Sequence, residues 1–267
     1  MKIAVTGKGG VGKTFIAGSL AAFFARQGKA VIAIDADPSP NLGISLGLTP
    51  EESANIVPVA ENDELIRLKT GTTYSGVFRL TFTVDDIIGR FALRTPSGPN
   101  LIVMGTVRSM GSGCTCPAHS VVKALLRHLI VERGEIVILD MEAGIEHLGR
   151  GTAERVDVMI VVTDANKKSL EIARNIFTMA HDSGIPAVVL VGNRVAGHEQ
   201  EQIIRAFSEK NGIPLLGLVP FDQQVLDNGI TGRPIVEEES GALQEIARLA
   251  RDLQSRQSSG LTPSRGS

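Results

Sequence analysis

Eight residues near the start of the chain, Gly7-Lys8-Gly9-Gly10-Val11-Gly12-Lys13-Thr14, satisfy the pattern G-x-x-x-x-G-K-[ST] in full. Glycines at this density let successive backbone N–H groups turn inward and cradle phosphate oxygens. A lysine at the position of Lys13 bridges β- and γ-phosphates, and a hydroxyl at the position of Thr14 ligates Mg2+. Gly9, Gly10, Val11, Gly12 and Phe15 complete the run expected to touch the nucleotide. The motif leaves an apolar strand, Lys2–Thr6, and opens a helical stretch, Gly12–Gln27, whose positive N-terminal end adds to the attraction for an anion. Lys8 is a further cation, at a loop position that normally needs none.

Acidic residues close two other apolar runs. Ala30–Ile34 leads into Asp35-Ala36-Asp37-Pro38, and Ile136–Asp140 ends on its own acid. Carboxylates at the end of a buried strand contribute little to stability, but Asp35 and Asp37 are well placed to approach Mg2+ and a water beside a γ-phosphate. Asp-Pro is also a common turn opening, so a turn-forming role stays open. Asp140 reads as the acid that holds Mg2+, mostly through water. Glu142, Glu146 and His147 follow it as solvated polar residues, with transient metal ligation as the alternative. Two more strand ends, Val191-Gly192-Asn193-Arg194 and Val219-Pro220-Phe221-Asp222, are polar turns by composition.

The only cysteines are Cys114 and Cys116, in Gly111-Ser-Gly-Cys-Thr-Cys-Pro117. One intervening residue is too short a spacing for an easy disulfide. A helix beginning near Ala118 would favour their thiolates. Two thiolates are half of the usual tetrahedral set for Zn2+, or of a square-planar set for Ni2+; a twofold-symmetric dimer with this loop on its axis would supply the other half. Free thiols or a redox couple remain the alternatives.

The elements that must position these groups can be read from short, β-branched apolar runs suited to strands buried on both faces. Besides those named, they are Asn100–Met104, Val156–Val162, Ala187–Gly192 and Leu215–Val219, separated by helical stretches Val121–Glu132, Lys168–Ser183 and Glu199–Asn211. Strand and helix in alternation predict an α/β, doubly wound, mostly parallel sheet of about seven to eight strands, in a single domain over residues 1–254. Ligands of such sheets lie beyond the strands' C-terminal ends, where every motif above falls. Residues 51–99 break the rhythm and read as an inserted excursion. A last helix, Gly241–Leu253, places Ala242, Leu243, Ile246, Leu249, Ala250 and Leu253 on one stripe, which reads as core packing. Residues 255–267 read as a flexible polar tail. A 43% hydrophobic content supports a sizeable core, and a formal net charge of −2 offers no field for nucleic acid or an anionic membrane. No run of about 18 apolar residues and no secretory signal pattern occurs, so a cytoplasmic protein is expected.

The loop GKGGVGKT resembles the deviant phosphate-loop motif of the MinD, ParA and nitrogenase iron protein class. That resemblance implies ATP-dependent homodimerisation, with Lys8 reaching the partner's nucleotide. It also implies water activation by Asp37, support of the magnesium site by Asp35, a dimer-side contact by Asn41 and a Gly144 N–H offered to the γ-phosphate. Asn193 and Arg194 with Pro220, Phe221 and Asp222 would line the adenine.

A narrower likeness rests on the CxCP loop and on Asp140-Met-Glu-Ala-Gly-Ile-Glu-His-Leu-Gly-Arg-Gly151. Together with the N-terminal loop these resemble the CooC family of nickel-insertion ATPases, over Met1 to about Asp222. The resemblance implies an ATPase converting ATP to ADP, with Mg2+ as cofactor. It further implies Ni2+ (or Zn2+) held by Cys114 and Cys116 at the dimer interface, and a nickel enzyme, carbon monoxide dehydrogenase or acetyl-CoA synthase, as client. The chain has five histidines and none in its last residues, against a nickel-storing tail. A positioning ATPase like MinD or ParA is the alternative, but it needs a membrane helix or a basic DNA surface. An iron protein-like redox ATPase with an inter-subunit cluster is a third, disfavoured by the close cysteine spacing.

Overall fold

The computed structural model describes residues 1–62, 91–105, 117–131, 134–144, 150–231 and 240–258. Its strands are β1 (Lys2–Gly7), β2 (Val31–Asp35), β3 (Leu93–Arg94), β4 (Asn100–Val103), β5 (Ile136–Asp140), β6 (Val158–Thr163), β7 (Val188–Val195) and β8 (Leu215–Pro220). They form one sheet in the order β3-β4-β2-β5-β1-β6-β7-β8. All neighbours run parallel except β3, which pairs antiparallel with β4.

The alternation of side chains along each strand divides the core in two. On one face Ala4, Ile34, Leu139, Val161 and Leu190 pack under α4 (Pro117–Val131), α6 (Lys167–Asp182) and α7 (His198–Asn211). On the other, Ile3, Val5, Ala33, Ile138 and Val191 pack under α1 (Lys13–Arg26) and α9 (Gly241–Ser258). Burial on both faces is why these strands read as unbroken apolar runs. The stripe of α9 is buried as expected, from Ala242 through Leu253, with Arg251 lying 5.8 Å over the Phe23 ring of α1. The helix runs on to Ser258. Residues 259–267 of the expected tail lie outside the described residues.

Four short α-helices, α2 (Leu42–Ser45), α3 (Pro50–Ala54), α5 (Arg150–Ala153) and α8 (Gln223–Thr231), and a 3-10 turn at Val59–Glu61 complete the order among the described residues. The expected excursion thus begins with a capped helix. The Thr49 hydroxyl accepts from the Glu52 N–H while the Glu52 carboxylate accepts from Thr49, and Pro50 sits at the first helical position. Its far end is the β3–β4 hairpin, closed by Thr95, which donates to the Pro99 carbonyl through both its N–H and its hydroxyl. Residues 63–90 between them lie outside the described residues. No helix among those described is long and apolar enough to cross a membrane.

The order of strands reverses direction around β1, whose neighbours β5 and β6 come later in the chain on opposite sides. The crevice beyond the C-terminal end of β1 is where such a sheet opens to a ligand, and the glycine-rich loop emerges there.

Candidate functional site

The loop leaves β1 at Gly7, which lies so close to β6 that a Cβ built on it would stand 2.2 Å from the Val162 carbonyl oxygen. At the far end Gly12 adopts φ +94° and caps α1 without any side-chain hydrogen bond; a Cβ there would fall 2.2 Å from the Asn193 amide nitrogen. Only glycine fits either place. The first turn of α1 carries no acidic residue, so its N–H groups face the crevice without a competing anion. Val11 anchors the loop's middle by burying its side chain fully.

The last residues of β7 hold the loop from outside. Asn193 donates through Nδ2 to the Val11 carbonyl at 2.8 Å, and Arg194 donates through Nη1 to the Gly10 carbonyl at 2.9 Å. Asn193 is 3% exposed; Arg194 is exposed and sits at φ +58°. Both residues, named from the sequence as adenine contacts, first of all fix the phosphate loop's shape. Beside them β8 brings Pro220 into register with Val195, and the Phe221 N–H donates to the Val195 carbonyl, leaving the Phe221 ring 46% exposed. The Asp222 carboxylate is committed elsewhere: it accepts from the Gln224 N–H, the Ser240 hydroxyl and the Ala242 N–H, and so ties the starts of α8 and α9 together.

On the other side of the loop three strand ends lie in a row. Asp140 stands opposite Val5 in β1 and opposite Asp35 in β2. Asp35 is fully buried, and its two oxygens accept from the Asp37 N–H at 3.2 Å and the Leu42 N–H at 2.9 Å. Burial pushes its pKa up, and those two amides pull it back. Asp37 in turn accepts from the Ser39 N–H, and Asn41, exposed at the start of α2, donates to the Ser39 carbonyl. The turn-forming role of both aspartates is therefore realised, alongside their place at the crevice.

Asp140 differs. It is 1% exposed, and among the described residues neither carboxylate oxygen has a hydrogen-bond partner of good geometry, the Thr14 hydroxyl being a close polar neighbour. Burial pushes its pKa up to about 7, against the pull of the Thr14 hydroxyl and, more weakly, of the Lys13 ammonium, while Asp35 and Asp37 push the same way as burial. Lys13 is itself buried to 6% exposure. An orphaned buried carboxylate next to a hydroxyl suits a hard divalent cation, and these residues fit Mg2+.

Past β5, the Glu142 side chain is exposed and Gly144 is buried. Thr6 of β1, fully buried, donates its hydroxyl to the Glu142 carbonyl at 2.8 Å, and the Gly144 N–H donates to the Thr6 hydroxyl oxygen at 3.2 Å. The sequence reading passed over Thr6; its signal was a lone polar residue inside an apolar strand. Glu146, His147, Cys114 and Cys116 lie outside the described residues. Helix α4 begins at Pro117, directly after Cys116. Among the described residues no cluster of three or more His, Cys, Asp or Glu side chains forms a metal site.

A loop of this geometry between a parallel strand and a helix, with a strand-end acid beside its Lys-Thr pair, defines the class of P-loop nucleotide-binding proteins. Residues 2–235 match the CobQ/CobB/MinD/ParA nucleotide binding domain, and the chain belongs to that family. It is 42% identical over 252 residues to an uncharacterized ATP-binding protein of Methanocaldococcus jannaschii, covering 93% of this chain and 96% of that protein. It is likewise 42% identical over 227 residues to the carbon monoxide dehydrogenase accessory protein CooC of Rhodospirillum rubrum, covering 84% and 85%. A ParA family ATPase from Chlorobium tepidum shares the fold, with a TM-score of 0.71 at 17% identity over 94% of this chain and 98% of that one.

Proposed function

We propose that this chain is an ATPase that dimerises around ATP, closes a metal site between its two subunits and delivers nickel to carbon monoxide dehydrogenase or a related nickel enzyme. The observation that carries the nucleotide half is the bare, buried Asp140 carboxylate beside Thr14 and Lys13 at the mouth of the loop. The cargo half rests on the likeness to CooC and on the CxC pair preceding α4.

In this reading Lys13 binds the β- and γ-phosphates, and Thr14 with Asp140 would hold Mg2+, which would supply neutralisation of phosphate charge. Asp35 has both oxygens engaged with backbone amides, so its part is to fix Asp37 in place and leave cation binding to Asp140. Asp37 orients a water for in-line attack on the γ-phosphorus; the new O–P bond forms as the bond to the ADP oxygen breaks. Lys8 reaches the partner's nucleotide and Asn41 lies on the dimer side. Asn193, whose Oδ1 makes no hydrogen bond among the described residues, presents an acceptor to the base's exocyclic amine, with Arg194 and the Pro220–Asp222 backbone beside it. Closure brings two Cys114–Cys116 pairs together as a four-thiolate site for the nickel cargo, and hydrolysis reopens it. A membrane-anchored positioning ATPase is less well supported, because the apolar stripe of α9 packs into the core.

The test is nickel binding by equilibrium dialysis with Mg2+ and a non-hydrolysable ATP analogue. The Cys114→Ala/Cys116→Ala protein is expected to lose binding near one ion per two chains while keeping its nucleotide affinity. An unchanged nickel stoichiometry would remove the cysteines from the site.

A further inference from the structure

The Gly144 N–H, which in the reading above serves the γ-phosphate, is already occupied: it donates to the Thr6 hydroxyl oxygen at 3.2 Å. That hydroxyl donates to the Glu142 carbonyl at 2.8 Å, with the Gly144 carbonyl as a longer second acceptor at 3.3 Å, which leaves a lone pair for the Gly144 N–H. Thr6 is fully buried in β1, between β5 and β6, and cannot follow the Glu142–Gly144 segment outward. Gly144 stands at φ +129°, a conformation that L side chains rarely adopt, and its peptide can rotate without carrying a Cβ through the wall of the crevice. One N–H thus has an acceptor inside the fold, the neutral Thr6 hydroxyl, and by the family resemblance a second outside it, a γ-phosphate oxygen.

We propose that Thr6 is a positioning residue that parks the Gly144 N–H inside the fold, so that the γ-phosphate must win it from the hydroxyl, and that this competition sets the preference between ATP and ADP. The proposal rests on the nucleotide reading above. ADP offers no γ-phosphate and leaves the parked arrangement in place; ATP draws the Gly144 N–H out. Losing the hydroxyl leaves the buried N–H unsatisfied in every state except the ATP-bound one, which strengthens ATP binding selectively.

The experiment is calorimetric titration of ADP and of a non-hydrolysable ATP analogue, with Mg2+, into the full chain and three variants. Thr6→Val keeps the shape and removes both the acceptor for the Gly144 N–H and the donor to the Glu142 carbonyl. Its ratio of ADP to analogue dissociation constants is expected to rise about 3- to 10-fold, with ADP affinity unchanged, which corresponds to one ordinary hydrogen bond. Thr6→Ser restores the hydroxyl and returns the ratio to that of the parent. If Thr6→Val does not fold, Thr6→Cys, which lacks the methyl and keeps only a weak acceptor, is expected to raise the ratio at least about 2-fold over Thr6→Ser. A ratio that is unchanged or falls, including equal weakening for both nucleotides as a merely structural threonine would give, overturns the proposal. A parent chain that binds neither nucleotide overturns the nucleotide reading itself.

Discussion

Replacing Asp140 by asparagine is expected to stabilise the metal-free protein at alkaline pH and to damage it only where magnesium matters. The acid lies 1% exposed on β5 with neither oxygen well hydrogen-bonded among the described residues, and burial, helped by Asp35 on the next strand, raises its pKa from 3.8 to about 7. Because the folded state holds this proton more tightly than the unfolded chain does, the contribution is fully present below the unfolded value near 3.8. It is lost as pH rises through about 7. At 1.36 kcal/mol per unit, that change amounts to up to about 4 kcal/mol at pH 8. Asparagine keeps the shape and never ionises. Urea unfolding in EDTA at pH 5, 6, 7 and 8 should therefore show a stability gap, variant over parent, that widens with pH to about 2–4 kcal/mol. Taking the difference cancels the titrating groups away from Asp140; of its charged neighbours, Asp35 and Asp37 gain from the loss of its charge, while Lys13 loses an attraction. With Mg2+ and ADP present, the parent should gain more than the variant. A gap that stays constant with pH, or a variant less stable than the parent at pH 8 in EDTA, would show that Asp140 is not an uncompensated buried acid.

Two further substitutions probe the loop. Gly7→Ala drives a Cβ to within 2.2 Å of the Val162 backbone oxygen, which has no side-chain freedom to yield. Thermal unfolding should report a loss of about 3–5 kcal/mol, and a loss under 1 kcal/mol would mean that β1 and β6 are not so closely apposed at that point. Lys8 is only partly buried, at the start of the loop. Lys8→Ala should keep ATP affinity within a few-fold but lose ATP-driven dimers in light scattering, and a normal dimer would remove its role across the interface.

Much of the sheet could be read because buried parallel strands are continuous apolar runs, and seven of the eight begin within two residues of where periodicity puts them. The two-residue β3 has no pattern of its own: Leu93 and Arg94 are exposed and exist as a strand only by pairing with Leu101 and Asn100. Helix α8 contains Asn228 and Gly229, poor helix formers, and its start is fixed by Asp222, which also receives Ser240 from a distant segment. By contrast Thr49-Pro50-Glu51-Glu52 is a local capping signature that was legible and was submerged in a segment read as irregular. At the site, Lys13, Thr14 and Asp140 follow from motif and strand end. The clamp from Asn193 to Val11 spans 182 residues and could not have been foreseen, since its partner is a backbone carbonyl with no side-chain identity to read. Polar Asn193 and Arg194 also hid the true end of β7, which runs to Val195 through an irregular register. The same long-range rule hid Thr6, whose partners lie 136 and 138 residues away.

The central claim, that nucleotide closes two chains around one metal ion, is tested most directly by native mass spectrometry of the protein with nickel, with and without Mg2+ and a non-hydrolysable ATP analogue. The account predicts that the analogue produces a species of two chains, two nucleotides and one nickel ion, and that without nucleotide this species is lost. One nickel ion per single chain irrespective of nucleotide, or an analogue-bound pair of chains that takes up no nickel, would contradict it.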